Sequence, residues 1–427
     1  MTSPIYFVNT CEKHLFDQAG DRLPLGLLYL SSFAKSKGFQ TKIWDLNHKN
    51  KDDMIKTGIK DKVKYWCFGT NTPTFSKTIE LAEEVRANLK HAVLIAGGNH
   101  VTDNPMEAEA RIVFDYLIVG DGENALMDIL NDEASEQILY SKPVEDLDSL
   151  PMPDYEGVDM TKYTMQVDGK PGTLIMTSRG CFWNCAYCGS ASSLNNNKMK
   201  KYRERSAKNV IEEIKTLYHK YGKKGFYFGD DIFTFNKDRV IDICCQIHDN
   251  ELDITWRATT RSDLLDDEIL AFMKSAGCNI ICLGLESGND EILKKMQKGT
   301  TVAKQRASVE LCHKHGIKVK GFFIVGLPGD NEQTVRQTID FAKSLRLEYA
   351  DFYPLTPYPG TQVWDNPQKY GIEVIKPQNA NWDTYYQVGK GGESFINIKH
   401  PNFTPERILE LCKIAREETK LKGLTYS

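Results

Sequence analysis

The chain has 427 residues, 41% hydrophobic and 26% charged, which suits a soluble protein with a sizeable core and room for two or three domains. A formal net charge of −4 provides no general pull toward nucleic acid or an anionic membrane. No stretch approaches the roughly 18 apolar residues of a membrane span, no basic-apolar leader is visible, and 11 cysteines without a disulfide-like framework suit a reducing compartment, so a cytoplasmic protein is expected.

The first 130 residues alternate short apolar runs with helical patterns. Strands are predicted at 5–9, 41–46, 63–69, 92–96 and 116–119, and helices at 25–37, 74–89 and 106–110, with 123–130 opening another. Each return to a parallel neighbour needs a helical crossover, so this rhythm predicts a five-stranded, doubly wound, Rossmann-like sheet over residues 1–141. Ligands of such sheets lie outside the carboxyl ends of the strands. Three segments fall there: Asn71-Thr72-Pro73, Gly97-Gly98-Asn99-His100 and Gly120-Asp121-Gly122-Glu123. Glycines in such loops let backbone approach a ligand closely.

Residues 142–171 hold Pro143, Pro151, Pro153 and Pro171 and read as an extended linker. The strand and helix rhythm then resumes over 172–361. Strands are predicted at 173–177, 225–229, 254–259, 279–285, 318–324 and 349–355, with helices at 207–220, 237–250, 267–276, 302–315 and 333–345 between them. Polar residues cluster where these strands end: Gly229-Asp230-Asp231, Arg257, Arg261 and Glu286-Ser287-Gly288. Charges at inner strand ends need partners. Either a ligand supplies them, or Asp231, Arg257 and Arg261 pair among themselves as rim salt bridges. The basic run 198–205 is interrupted by Glu204 and reads as a solvated face.

Cys181, Cys185 and Cys188 place three thiolates within eight residues, directly after the first of these strands. A structural zinc site wants four protein ligands, and no His or Cys follows between Gly189 and Leu217. Three thiolates fit a four-iron, four-sulfur cluster with one iron open. The other eight cysteines lie mostly in apolar or helical runs and read as small buried hydrophobes.

The Cys-x3-Cys-x2-Cys spacing with Tyr187 before the last cysteine resembles the radical S-adenosylmethionine superfamily. That resemblance implies a partial (β/α)6 barrel, a 4Fe-4S cluster on the three cysteines, and reductive cleavage of S-adenosylmethionine to a 5'-deoxyadenosyl radical. It further implies contacts to S-adenosylmethionine from Tyr187, Gly229, Asp230, Arg261, Glu286 and Ser287, with Gly229-Asp230 meeting the ammonium. Upstream, Pro24-Leu25-Gly26-Leu27-Leu28-Tyr29-Leu30, the Gly97 to Thr102 loop and the Asp115 to Glu123 turn resemble the cobalamin-binding domain of one subgroup, the class B-like methyltransferases. The turn departs slightly, with Asp121 where the pattern has Glu. Cobalamin contacts are implied at Pro24, Leu25, Gly26, Thr72, Gly97, Gly98, Asn99, His100, Gly120, Gly122 and Glu123. There is no DxHxxG motif, so His100 is not automatically a cobalt ligand. The chemistry implied is hydrogen abstraction from a substrate carbon followed by methyl transfer from methylcobalamin, with an electron donor such as flavodoxin or ferredoxin.

Residues 362–427 leave the rhythm. A helix is expected only from 405 to 422, and Asn381-Trp382-Asp383-Thr384-Tyr385-Tyr386 reads as an aromatic loop of a helical cap, closing a substrate cavity or simply packing on the barrel. A methylthiotransferase would need three further N-terminal cysteines, and only Cys11 and Cys67 precede Cys181. Rearrangement, cyclisation or carbon coupling without methylation shares every motif named. A non-catalytic iron-sulfur sensor or scaffold is the reading from another class. The substrate, whether small molecule, peptide or lipid, leaves no motif.

Overall fold

The computed structural model describes residues 3–17, 20–190, 202–378 and 381–419. Strands β1 (Ile5–Asn9), β2 (Thr41–Asp45), β3 (Tyr65–Gly69), β4 (Val93–Gly97), β5 (Tyr116–Val119) and β6 (Ile138–Tyr140) form one parallel sheet in the order β2-β1-β3-β4-β5-β6. The sheet therefore has six strands rather than the expected five; β6 is a three-residue edge strand, too short to show a period. Strand order reverses between β1 and β3, which puts the ligand crevice at their carboxyl ends.

Helices α1 (Leu25–Ser36) and α6 (Gly122–Leu130) cover one face of this sheet; α2 (Lys51–Lys60), α3 (Phe75–Asn88) and α5 (Ala108–Val113) cover the other, and α4 (Asn99–Asp103) lies inside the glycine loop. The expected helix at 106–110 thus begins later, as α5. Helix α2 was not expected. Gly58 interrupts its pattern, because the Trp66 ring lies 2.4 Å from where a Cβ would stand.

The second sheet holds β8 (Lys170–Ile175), β11 (Gly225–Phe228), β12 (Thr255–Thr260), β13 (Cys278–Glu286), β14 (Lys318–Val325) and β15 (Tyr349–Pro354), parallel and in sequence order, with β7 (Gln166–Val167) antiparallel on the β8 edge. This is the curled (β/α)6 half-barrel, and all six expected strands are present. Helices Ala207–Tyr221, Lys237–Asp249, Asp267–Ser275, Val302–Lys314 and Glu332–Ser344 wrap its outside. Side chains of Ser206, Asn236, Asp266, Thr301 and Asn331 each accept a backbone N–H at a helix start, which explains why these starts were readable. Along β12, Trp256, Ala258 and Thr260 are buried against helices, whereas Thr255, Arg257 and Thr259 line a part-exposed lumen.

The two sheets share a core. Phe7, Ile95 and Ile118 with Leu28 and Leu126 belong to the same apolar cluster as Phe226, Trp256 and Val319 of the barrel. The connection between them is less extended than its prolines suggest, forming short 3-10 turns at Leu147–Ser149, Tyr155–Gly157 and Met160–Lys162. Its Asp154 accepts from Ser31 Oγ at 2.6 Å and pairs with Lys35 at 2.6 Å. Of the basic run, Lys198 to Lys201 lie outside the described residues, and Arg203 and Arg205 are buried in ion pairs with Asp121 and Glu213 rather than solvated.

Beyond β15, two short helices at Gln362–Asp365 and Pro367–Tyr370 appear where none was expected. The hairpin of β16 (Glu373–Val374) and β17 (Ile398–Lys399) follows, then the helix Pro405–Glu418, whose Arg416 donates to Phe352 O on β15 at 2.6 and 3.0 Å. Among the described residues, no helix is long and apolar enough to cross a membrane.

Candidate cofactor site

The cysteine loop is pinned before it is reached. After β8 the chain pairs β9 (Ser178–Arg179) antiparallel with β10 (Arg203–Glu204), which closes the base of the loop. Asp230 fixes its entry: one carboxylate oxygen accepts from Thr177 N at 2.6 Å and Ser178 N at 2.9 Å, and the other accepts from Thr177 Oγ1. Further along, Ala186 N donates to Met296 O and Val363 N donates to Ala186 O, each at 3.0 Å. Cys181 and Cys185 are buried and Cys188 is half-buried. Three thiols with no His or Cys following between Gly189 and Leu217 fit a cluster with one iron open better than a closed zinc site.

Around them, the barrel ends hold a compact set of polar groups. Glu286 closes β13 at a register shift and has φ of +65°, a left-handed conformation uncommon outside glycine. Its carboxylate folds back over Gly284 and accepts from the buried Lys298 at 2.9 Å. Burial alone would lower the Lys298 pKa, but Glu286 and Cys185 more than reverse this and raise it. The buried Tyr187 phenol is pushed up by desolvation, then by Glu286. Ser262 Oγ, Thr300 Oγ1 and Thr356 Oγ1 are buried without a hydrogen-bond partner among the described residues. Orphaned hydroxyls at strand ends are what a polar ligand such as S-adenosylmethionine would satisfy.

The other expected contacts divide. Arg261 is held by Asp263 through two 2.9 Å hydrogen bonds and stacks 4.3 Å from the Trp183 ring centroid, so it is a paired rim residue. Ser287 forms a turn, its Oγ accepting from Asn289 N at 3.2 Å. Gly229 is required by packing, since a Cβ would meet Leu174 at 2.5 Å. Asp230 has both oxygens committed to the loop entry. Its neighbour Asp231 is exposed and accepts from Ser190 Oγ at 2.7 Å. Arg257 lies inside the lumen in the middle of β12, not at the strand end.

On the first sheet, Gly26, Gly98 and Asn99 are exposed at the carboxyl edge. A Cβ on Gly26 would meet nothing within 4 Å, which leaves room for a flat ligand. Gly98, at φ +114°, serves the backbone instead, because a Cβ would stand 2.7 Å from Thr70 O. A Cβ on Gly97 would meet Ile118 at 3.6 Å, Gly97 O accepts from Thr70 N at 2.8 Å, Pro24 precedes α1, Leu25 is buried, and Gly122 gives Leu30 room to pack. Gly120 N donates to Thr102 Oγ1 at 3.1 Å.

His100 is fully buried, with Nδ1 3.2 Å from Thr72 Oγ1 and Nε2 2.6 Å from Glu107. Phe75 lies against one side, and Trp382 meets it edge-on at 4.8 Å while donating Nε1–H to Glu107 at 2.7 Å. Desolvation lowers the His100 pKa against the pull of Glu107. The aromatic loop of the last segment therefore packs on the first sheet's loop, not on the barrel.

Glu123 does not face open space either. It accepts from Arg179 at 2.8 Å, and Asp121 meets both Arg179 and Arg203. Arg179 stands two residues before Cys181, so the turn after β5 grips the cysteine loop directly. Lys298, Glu107 and the Asp121–Arg203 pair carry no local motif that would mark them as site residues. At the end of the cysteine loop, the position a Gly189 Cβ would take lies 4.0 Å from Asp103 of α4, within contact distance.

Residues 175–342 match the Radical SAM superfamily description and residues 17–130 the B12 binding domain. The chain is 31% identical over 416 residues to an uncharacterized methyltransferase, PH0819, of Pyrococcus horikoshii, covering 92% of this chain and 86% of that protein. It belongs to the cobalamin-dependent radical S-adenosylmethionine methyltransferases. Bacteriochlorophyllide d C-8(2)-methyltransferase of Chlorobaculum tepidum is 28% identical over 352 residues, 78% of this chain and 75% of its own length. The radical S-adenosylmethionine methyltransferase TsrM of Kitasatospora setae, solved with cobalamin and a [4Fe-4S] cluster, shares the fold at TM-score 0.74 and 16% identity, over 97% of this chain and 91% of its own. A radical S-adenosylmethionine methyltransferase carries a 4Fe-4S cluster, S-adenosylmethionine and, here, cobalamin.

In this methyltransferase Gly26 offers a clean test of the corrin site. Gly26→Trp is expected to abolish cobalamin uptake while iron content and thermal stability hold, because the helix position is open and tryptophan has a higher helix propensity than glycine. Full cobalamin retention after gel filtration would move the corrin elsewhere.

Proposed function

We propose that the enzyme methylates an unactivated carbon of a small-molecule substrate: the cluster and S-adenosylmethionine supply a 5'-deoxyadenosyl radical that removes hydrogen from that carbon, and cobalamin supplies the methyl group. The observation that carries this reading is the approach of the cysteine loop to the first sheet, where Gly189 at the end of the loop comes within contact distance of Asp103 beside the exposed Gly98-Asn99 edge. Cys181, Cys185 and Cys188 hold the cluster. Asp231, rather than Asp230, would be the carboxylate left to meet the ammonium of S-adenosylmethionine, with Glu286, Lys298 and Tyr187 lining the same strand ends. Gly26, Gly98 and Asn99 bear the corrin. Phe182, 47% exposed next to Cys181, marks the side from which a flavodoxin or ferredoxin would deliver electrons. None of these residues performs heavy acid-base work; they position, and exclude water.

The test is an anaerobic incubation of reconstituted enzyme with a small-molecule extract and S-adenosylmethionine carrying a trideuterated methyl group. Deuteromethylated product and 5'-deoxyadenosine should form together. Labelled product without deoxyadenosine would remove the hydrogen-abstraction step, and deoxyadenosine without labelled product would favour cyclisation or rearrangement.

His100 is expected to leave cobalt alone, since both ring nitrogens are engaged. Cob(II)alamin bound to the enzyme should show no nitrogen coupling from His100 in its electron paramagnetic resonance spectrum, and selective ¹⁵N-histidine labelling should leave that spectrum unchanged. A coupling that changes on labelling in the wild type and vanishes in His100→Gln enzyme would make His100 the axial ligand.

A further inference from the structure

A methyl acceptor has to be read by the barrel lumen, and one lumen side chain lacks a counterpart. Lys320 pairs with Asp351 at 2.7 Å, Asp351 also accepts from Tyr353 Oη at 2.7 Å, and Asp168 accepts from Thr255 Oγ1 at 3.1 Å. Higher up, Lys298 answers Glu286. Arg257 makes no hydrogen bond or ion pair among the described residues. Its guanidinium rests 4.9 Å from the Tyr227 ring centroid, on the neighbouring strand where Tyr227 and Arg257 are in register. The acids Asp168 and Asp351 face the same level of the lumen, together with Cys282 and Lys320, yet neither pairs with it.

We propose that Arg257 anchors an anionic group of the substrate, a carboxylate or a phosphate. This deepens the methyltransferase reading and rests on it. A guanidinium stacked on an aromatic face keeps its in-plane N–H donors free, and that fork matches planar carboxylate or phosphate oxygens. The position suits the task. Arg257 precedes Arg261 by four residues, so it stands roughly 13 Å below the rim at ~3.3 Å per strand residue. An anion held there lets the body of a small organic molecule rise past Tyr227, Phe322 and Tyr353, which are part-exposed in the lumen, toward the cleft between the two cofactors. Those aromatic walls fit an aliphatic or aromatic body between the charged foot and the reacting carbon. Tyr227, Arg257 and Phe322 are each part-exposed, unlike the packed interior of a closed barrel.

Equilibrium binding tests this without knowledge of the substrate. Cofactor-loaded enzyme is titrated calorimetrically with hexanoate, hexyl phosphate and hexanol as probes. Wild type should bind at least one anion about tenfold more tightly than hexanol, Arg257→Gln should lose about that factor, and Arg257→Lys should keep part of it. Iron and cobalamin content of each variant serve as the folding control. Preference for hexanoate or for hexyl phosphate separates a carboxylate from a phosphate substrate. Equal binding of hexanol, no binding of either anion to wild type, or unchanged anion binding by Arg257→Gln would overturn the anchor. A reaction product without the added methyl would overturn the proposed reaction and leave the anchor standing.

Discussion

Cys181→Ala enzyme is expected to lose the cluster and every trace of 5'-deoxyadenosine formation while keeping its fold. The loss should be total rather than graded, because the three thiolates are the whole ligand set that the motif provides. Two thiolates cannot hold a cluster that already leaves one iron open. The fold should survive because the loop is anchored independently at Asp230, Met296 and Val363. Anaerobic iron and sulfide analysis, with deoxyadenosine measured by chromatography, checks both parts. Residual deoxyadenosine at even a few per cent of wild type would show that the three cysteines are not the cluster ligands.

Arg179→Met should cost about 3–5 kcal/mol of stability, the usual penalty for breaking a buried pair from one side. Glu123 and Asp121 would be left with reduced compensation in a site where the Glu123 side chain is only 3% exposed. Adding Glu123→Gln should recover part of that loss, so the double variant should be more stable than the two single effects predict. Chemical denaturation of the apo forms measures this. A second readout bears on function: with the cysteine loop no longer gripped by the turn after β5, deoxyadenosine should form faster than methylated product. A variant as stable as wild type would mean that water screens this contact.

Much of this architecture could be read from the sequence, and the failures have physical causes. The six barrel strands were legible because each is a short apolar run and five of the intervening helices begin at a capping side chain. The cysteine cluster was legible because its chemistry is written in residue type and spacing. Helix α2 was hidden by Gly58, whose reason is a tryptophan from another strand. Asp230 and Asp231 could not be told apart, since adjacent residues of an extended segment face opposite ways and only the packed barrel decides which turns inward. Arg179 and Glu123 lie 56 residues apart and neither carries a local mark of the other. His100 drew attention as the lone histidine of a glycine loop, but its partner Trp382 comes from the far end of the chain.

That last contact sets an order of events. Glu107 and Trp382 are separated by 275 residues, and Ser76 Oγ accepts from the backbone of the same tryptophan. On the ribosome, the first sheet can fold long before the segment at 381–386 emerges. Until then His100 and Glu107 lack the indole that covers them, and the corrin-facing loop is unfinished. The barrel, too, must already stand between the two for the later segment to reach back across it. The segment at 381–386 thus works as a latch that closes over His100 and Glu107 only after the barrel strands have been made.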